Sequence, residues 1–216
     1  MEKLSESIEN YLKEIYQLEE IKGYVRVIDL INTLDISPGT VSKILDKLEK
    51  LGLIERKNRK ILLTEDGKKI AQKLIRSHMI SERLLTDILG VDWIRAHEIA
   101  HKLEHIWPDD VLDRIDEILG RPKTCPHGHP IPGRIKIKGI PLTEAEENKD
   151  YYVMLIVKER EDILRELDRI GIKPGVKIKI LKKSGDRIDV MINDSIKSIN
   201  NRIGEQIIVN NELERN

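Results

Sequence analysis

The sequence predicts an α+β multidomain protein with a winged helix-turn-helix, then an all-helical region, then a small β-barrel. Apolar residues recur at helical spacing up to about residue 120, and strand-like runs replace that period beyond residue 150. Between them, residues 121–133 hold four of the eight prolines, which marks a linker. The predicted boundaries are 1–64 for the winged helix, 65–121 for the helices, 122–149 for the linker and 150–216 for the barrel.

The composition indicates a protein that folds in water. Charged residues make up 35% of the 216 residues, against roughly 25% in an average protein. No stretch approaches the roughly 20 apolar residues of a membrane span, and the N-terminal residues contain no apolar signal segment. The single cysteine, Cys125, excludes an internal disulfide framework. We therefore expect a cytoplasmic protein that does not bind a membrane.

Three helices and a hairpin are predicted in the first part. The first helix covers residues 5–21 and the second covers residues 27–34. Ser37 caps the third helix, which has Pro38 at its favoured first position and stops at Gly52. Two short strands joined by a basic tip follow, and this order is typical of a winged helix-turn-helix.

The charge of this part favours DNA as its partner. The net charge of the whole chain is zero, yet residues 37–60 carry seven basic and three acidic residues. The start of the third helix would enter the major groove, and the wing would contact phosphates. The predicted DNA-binding residues are Ser37, Pro38, Gly39, Thr40, Ser42, Lys43, Lys47, Lys57, Arg59 and Lys60. The alternative is a solvated amphipathic helix followed by a charged turn.

The helical region contains the sequence HEIAHKLEHIW at residues 97–107. At about 100° per residue, His97, His101, Glu104 and His105 fall in one arc and the apolar residues fall opposite. The arc extends over about 12 Å of helix axis, so two metal sites fit it better than one.

A second pair of candidate ligands precedes this helix. His78 and Glu82 are four residues apart and share a helix face. Together with His97 they could form one site, while His101, Glu104 and His105 form another.

Three interpretations of the histidine arc remain open. The first is a solvent-exposed polar face without a metal. The second is a zinc protease, with His97 and His101 as ligands and Glu98 as general base, because the arc begins with H-E-x-x-H. The third, which a neighbouring winged helix favours, is a regulatory metal centre.

The linker carries further candidate ligands. Cys125, His127 and His129 could form a third metal site, although a structural segment docked on the barrel is the favoured interpretation. Residues 144–150 are predicted to be a mobile acidic connector. Beyond it, about five short strands and one helix predict the barrel.

These motifs, in this order, resemble a known family. They are Ser37-Pro-Gly-Thr-Val-Ser42, His78-x-x-x-Glu82-Arg-Leu-Leu, His97-x-x-x-His101-x-x-Glu104-His105 and Cys125-Pro-His-Gly-His-Pro-Ile-Pro-Gly133. The chain resembles the diphtheria toxin repressor family of metal-dependent transcriptional repressors, in the long form with a C-terminal FeoA-like barrel of the Src-homology type. The resemblance covers essentially the whole chain.

The resemblance implies a homodimeric repressor without enzymatic activity or a small-molecule substrate, which binds a palindromic operator before metal-uptake genes. Fe2+ or Mn2+ would be the corepressor at two sites per subunit, and other divalent metals could bind in vitro. The implied ligands are Asn10, His101, Glu104 and His105 at a primary site, and His78, Glu82 and His97 at an ancillary site, with Glu159 and Glu161 as weaker candidates.

One departure from the family pattern concerns the metal. Asn10 and His101 match neither the Met and Cys usual in iron-responsive members nor the Asp and Glu of manganese-responsive ones. The primary set therefore contains no sulfur and should not prefer soft metals. A metal joining Asn10 to the dimerisation helix would set the separation of two recognition helices near one DNA turn, about 34 Å. Metal and DNA would then strengthen each other's binding.

Overall fold

The computed structural model describes residues 4–212, which divide into two compact units. One unit extends to Ser77 and the other begins at His78. The division lies inside a long helix, whereas the sequence predicts a boundary after residue 64. The outermost residues of the first and last predicted domains, 1–3 and 213–216, lie outside the described residues.

The first unit has the predicted order of elements. Its helices and strands are α1 (Glu6–Lys22), α2 (Val27–Leu34), α3 (Pro38–Lys50), β1 (Ile54–Lys57) and β2 (Lys60–Leu63). Ser37 caps α3 as predicted, because its side chain accepts a hydrogen bond from the Thr40 amide. Apolar side chains from all five elements form one core, including Leu12, Leu30, Leu45, Ile54 and Ile61.

The wing is a tight antiparallel hairpin. β1 pairs with β2 from Ile54 opposite Leu63 to Lys57 opposite Lys60. Asn58 and Arg59 form the turn, with φ of 52° and 61°. Two successive residues at positive φ match a type I′ turn, whose twist suits a two-residue hairpin.

The helical part of the second unit continues from α4 (Glu65–Arg83). A π-helical turn (Leu84–Ile88) follows α4, and then come α5 (Trp93–Leu103) and α6 (Asp109–Ile118). Asp92 caps α5 by accepting hydrogen bonds from two amides of its first turn. π-helical turns occur often at functional sites, and this one directly follows the predicted ligand helix.

The C-terminal part is a six-stranded antiparallel sheet. The strands and helices are β3 (Ile140–Pro141), β4 (Asp150–Ile156), α7 (Glu161–Ile170), β5 (Lys177–Ser184), β6 (Arg187–Ile192), β7 (Ser195–Asn200), α8 (Asn201–Gly204) and β8 (Ile207–Asn210). The strand order is β3-β8-β4-β5-β6-β7. The small β domain is confirmed, but among the described residues no pairing joins β3 to β7 to close a barrel.

The acidic connector is docked on the sheet rather than mobile. The Asn148 amide donates to the Ile180 carbonyl at 2.7 Å. The Glu147 carboxylate accepts a hydrogen bond from the Lys183 amide at 2.6 Å. Acidic side chains suggested solvent exposure, but the backbone of this segment supplies hydrogen bonds to β5.

None of the helices in residues 4–212 is long and apolar enough to cross a membrane.

Candidate metal centre and nucleic-acid interface

Glu82 on α4 is the centre of a buried group of imidazoles. Its side chain is fully buried. Its Oε1 atom lies 3.2 Å from His78 Nε2, 2.8 Å from His97 Nδ1 and 3.2 Å from His127 Nδ1. The predicted ancillary residues His78, Glu82 and His97 therefore lie together.

Glu159 completes this group from the segment between β4 and α7. Its carboxylate lies 3.3 Å from His97 Nδ1, 3.4 Å from His127 Nδ1 and 3.5 Å from His129 Nε2. One potential ligand atom from each of His78, Glu82, His97 and Glu159 lies within 4.8 Å of the others. The same holds for Glu82, Cys125, His127 and Glu159. The two groups share both carboxylates.

The linker reaches this group because its backbone is docked on the end of β4. The His127 carbonyl accepts a hydrogen bond from the Ile156 amide at 2.9 Å, and His129 Nε2 donates to the Ile156 carbonyl at 2.7 Å. Gly128 has φ of 91°, and a Cβ atom there would lie 2.1 Å from the Met154 carbonyl oxygen. The segment has the docked structural role that the sequence favoured, and it also brings Cys125 and His127 among potential ligands.

Two side chains support the linker from the helical side. Arg83 donates to the backbone carbonyls of Thr124 and Cys125 at 2.8 and 3.1 Å. The Trp93 ring stacks on the His127 ring, with centroids 5.0 Å apart and planes inclined by 24°. The positions of Cys125 and His127 are thus fixed from both sides.

Three of the four predicted primary residues, His101, Glu104 and His105, lie beside the first group. Glu104 is buried, and its Oε2 lies 2.6 Å from His78 Nδ1. The same carboxylate lies 3.7 Å from His101 Nδ1 and 3.6 Å from His105 Nε2. His78 therefore contacts Glu82 through one ring nitrogen and Glu104 through the other, which links the two groups. The His78, His97 and His101 rings also offer nitrogens within 4.8 Å of one another.

The electrostatics of the group fit a divalent cation. Burial alone would raise the pKa of Glu82, but hydrogen bonds with His127, His78 and His97 outweigh it and hold that pKa well below its usual range. Burial would lower the pKa of His127, but the Glu82 carboxylate raises it. Burial raises the pKa of the Cys125 thiol well above its ordinary value, and the charges of Glu82 and Glu159 add to this.

Two orphaned atoms supply the test of fit. Glu82 Oε2 and His127 Nε2 are buried and have no hydrogen-bond partner among residues 4–212. A buried polar atom without a partner costs about 1–3 kcal/mol and calls for an explanation. Carboxylate oxygen is a ligand for divalent transition metals, so a cation bound by this group would satisfy Glu82 Oε2. His127 faces both carboxylates through its other nitrogen, Nδ1.

Two other predicted residues of the second unit, Glu161 and Glu98, lie outside these groups. Glu161 is on the exposed first turn of α7 and pairs with Arg165. Glu98, the protease base in the alternative interpretation, is exposed and joins no metal-ligating group among residues 4–212. Asn10 is an exposed residue of α1 in the first unit, and its role as a ligand stays a prediction.

The predicted DNA-binding residues are all exposed on the first unit. They are Ser37, Pro38, Gly39, Thr40, Ser42, Lys43 and Lys47 at α3, and Lys57, Arg59 and Lys60 at the wing. Arg56 differs from these cations because it forms ion pairs with Asp46 and Glu49. The remaining cations of α3 and the wing keep their charge available for phosphates.

Three known family models match successive parts of the chain. The N-terminal DNA-binding domain of iron-dependent repressors matches residues 3–62, and the metal-binding and dimerisation domain of the same repressors matches residues 64–133. The FeoA domain matches residues 140–211.

Individual relatives match over most of their length. The iron-dependent repressor IdeR of Mycobacterium tuberculosis is 30% identical over 209 residues, covering 89% of this chain and 91% of the relative. The diphtheria toxin repressor of Corynebacterium efficiens is 31% identical over 201 residues, covering 86% and 87%.

Solved structures show the same fold. A manganese-dependent transcriptional repressor in complex with manganese has a TM-score of 0.83 at 27% identity, covering 94% of this chain and 98% of that one. IdeR of T. acidophilum has a TM-score of 0.74 at 29% identity, covering 97% and 99%. This excludes the zinc-protease interpretation, since the shared family consists of repressors rather than enzymes. The chain belongs to the iron-dependent repressor family of metal-dependent, DNA-binding transcriptional regulators, which includes the diphtheria toxin repressor.

Proposed function

We propose that this chain is a repressor activated by Fe(II) or Mn(II) through the buried group around Glu82. The observation that carries the proposal is the surroundings of that carboxylate. Glu82 is fully buried, three imidazoles face it, and one of its oxygens has no hydrogen-bond partner in the part of the chain that the structure describes. A buried carboxylate without a cation is costly, and the groups that face Glu82 among residues 4–212 are imidazoles, which carry positive charge only when protonated.

We propose two metal positions per subunit. His78, Glu82, His97 and Glu159 would hold one ion, with Cys125 and His127 available to the same pair of carboxylates. His101, Glu104 and His105 would supply the other, with Asn10 as the predicted fourth ligand. The bound cation would supply the positive charge that draws carboxylates and neutral imidazoles together.

The choice between Fe(II) and Mn(II) follows from the donor atoms only in part. Imidazole and carboxylate ligands bind both ions, and the Cys125 thiolate would add a soft donor that favours Fe(II) over Mn(II). Because affinity in vitro follows the metal series, Zn(II) and Co(II) are also expected to bind in purified preparations.

The DNA-binding half of the proposal concerns the first unit. The first turn of α3 would contact base edges in the major groove, and Lys57, Arg59 and Lys60 would contact phosphates. We propose a palindromic operator before metal-uptake genes, bound in the cytoplasm by a homodimer whose recognition helices lie about 34 Å apart.

The dimer contact is proposed on exposed apolar residues of the helical region. Val111 and Ile118 are one heptad apart on α6 and are 38% and 61% exposed. Ile88 and Leu89, at the end of the π-helical turn, are 55% and 62% exposed. Large apolar side chains exposed in such number on a small domain mark an interaction surface.

The test is DNA binding with and without metal. A fluorescent duplex, selected by the wild-type chain from a random pool with Mn(II), is titrated anaerobically at fixed salt with chelator, Fe(II) or Mn(II). We expect tight binding only with metal, and loss of that response in Glu82→Gln. The matched control is Glu98→Gln, an exposed carboxylate outside the group. Equal binding with chelator would instead indicate a metal-independent winged-helix regulator.

A further inference from the structure

Tyr24, Arg26 and Lys60 form a cluster beside the tip of the wing, and only Lys60 is among the predicted DNA-binding residues. Lys60 Nζ lies 4.4 Å from the centroid of the Tyr24 ring, and the Arg26 guanidinium carbon lies 5.0 Å from it. Arg26 also donates to the Tyr24 hydroxyl at 3.2 Å. We propose that Tyr24 gathers Arg26 and Lys60 into a phosphate-binding site that holds the DNA backbone beside the wing.

The backbone fixes these residues relative to one another. The Ile61 amide donates to the Val25 carbonyl at 2.8 Å, and the two residues form an antiparallel bridge. Both side chains are buried, at 0% and 2% exposure. Antiparallel register then sets Arg26 opposite Lys60, with both side chains exposed. The segment before α2 is thus attached to β2 by a single bridge pair.

Two cations directly opposite each other would normally destabilise this pairing. The Tyr24 ring offsets that repulsion, because each cation is attracted to the aromatic ring. A phosphate bound by both cations would offset the repulsion that the ring leaves. The ring also orders two long side chains in advance, which lowers the entropy that phosphate binding would otherwise remove.

No carboxylate among the described residues pairs with either cation. Asp29, which lies close in sequence, accepts a hydrogen bond from the Arg26 backbone amide and pairs with Lys22. Arg56, on the same hairpin, shows the contrasting case of a cation taken up by two acids. The wing therefore separates a structural cation from cations left for a ligand.

Phosphodiester of duplex DNA is the ligand class, and this rests on the DNA-binding function proposed above. A guanidinium has five donors, and only one is used by the tyrosine hydroxyl, so a paired set remains for phosphate oxygens. The site carries no group that reads base edges. It would add affinity and fix the wing on the backbone without changing sequence preference.

The experiment measures anisotropy of the duplex selected by the wild-type full chain, with Mn(II), over a series of salt concentrations. The variants are Arg26→Gln, Lys60→Gln, Tyr24→Leu and Tyr24→Phe. Removing either cation should lower the slope of log affinity against log salt by about one for each bound subunit. The control is Arg165→Gln, an exposed arginine of α7.

The two tyrosine variants test whether the ring orders the Arg26 and Lys60 side chains, because neither variant changes the charge of the site. Tyr24→Leu should weaken binding about fivefold at fixed salt and leave the salt slope nearly unchanged, while Tyr24→Phe keeps the ring and should bind like wild type. Circular dichroism melting confirms that each variant is folded. A salt slope for Arg26→Gln equal to that of Arg165→Gln would overturn the proposal, as would equal binding by the two tyrosine variants. If the wild-type chain selected no duplex, the proposed function would fail first, and this inference with it.

Discussion

Gly128 provides the sharpest test of how the linker builds the metal centre. In Gly128→Ala, the new Cβ would lie 2.1 Å from the Met154 carbonyl oxygen and 2.6 Å from Leu155 Cα. Both contacts are backbone, so the linker must move away from β4. That movement would break the two hydrogen bonds that join His127 and His129 to Ile156.

The expected destabilisation can be worked from these contacts. A side chain at positive φ costs roughly 1 kcal/mol, and each lost hydrogen bond adds about 1 kcal/mol. Gly128→Ala should therefore lower the free energy of unfolding by about 3 kcal/mol. Gly133→Ala is the matched control, because Gly133 also has positive φ but a Cβ there meets no atom within 4 Å. Only the strain of about 1 kcal/mol applies to it.

Two measurements check this prediction. Thermal unfolding with chelator should show a melting temperature lowered by roughly 2–4 °C for each kcal/mol of destabilisation. The decrease should therefore be about three times larger for Gly128→Ala than for Gly133→Ala. Calorimetric titration with Mn(II) should show affinity weakened about 10- to 100-fold in Gly128→Ala alone. Equal melting temperatures together with wild-type Mn(II) affinity in both variants would refute the proposed role of the docked linker.

Three further predictions concern the same unit. Glu159→Gln should weaken Mn(II) binding at least about tenfold, because the group loses a shared carboxylate. Glu161→Gln should bind Mn(II) like wild type in the same calorimetric titration. Identical isotherms for the two variants would contradict the assignment of Glu159 as a ligand. His127 has a raised pKa and must lose its proton to bind metal, so the affinity for Mn(II) should rise with pH by about tenfold per pH unit for each proton released. Calorimetry in buffers of different ionisation enthalpy counts the released protons. A count of zero would argue against metal binding by this group. Ile118→Glu should convert dimers to monomers in sedimentation velocity, since it places a charge on the proposed apolar contact, and an unchanged sedimentation coefficient would move the interface elsewhere.

Local signals in the sequence were sufficient for the first unit. The second helix begins and ends at the predicted residues, and the Ser37 cap makes the predicted hydrogen bond with the following turn. Such features depend on contacts three or four residues apart, which a sequence displays directly. The His78 and Glu82 pair was found in the same way.

Features that depend on contacts between residues far apart in the sequence were predicted incompletely or not at all. The sequence grouped Glu104 with its neighbours His101 and His105, yet its carboxylate also lies 2.6 Å from His78, 26 residues away. The meeting of Cys125 and His127 with Glu82 requires the linker to dock on β4, and only Gly128 hinted at a close backbone approach. Strand β3 contains a proline and has two residues, too few for a period to show.

The stacking of Trp93 on His127 gives the protein a built-in optical signal. The indole ring lies against an imidazole whose charge changes when a proton is lost or replaced by metal. The indole Nε1 of Trp93 donates a hydrogen bond to Asp168 at 3.0 Å. Indole emission depends on the charge and polarity beside the ring. The other tryptophan, Trp107, donates to Ser81. Replacing Trp107 with Phe would leave one fluorophore, whose intensity and wavelength would follow metal loading in real time, without a label and without DNA.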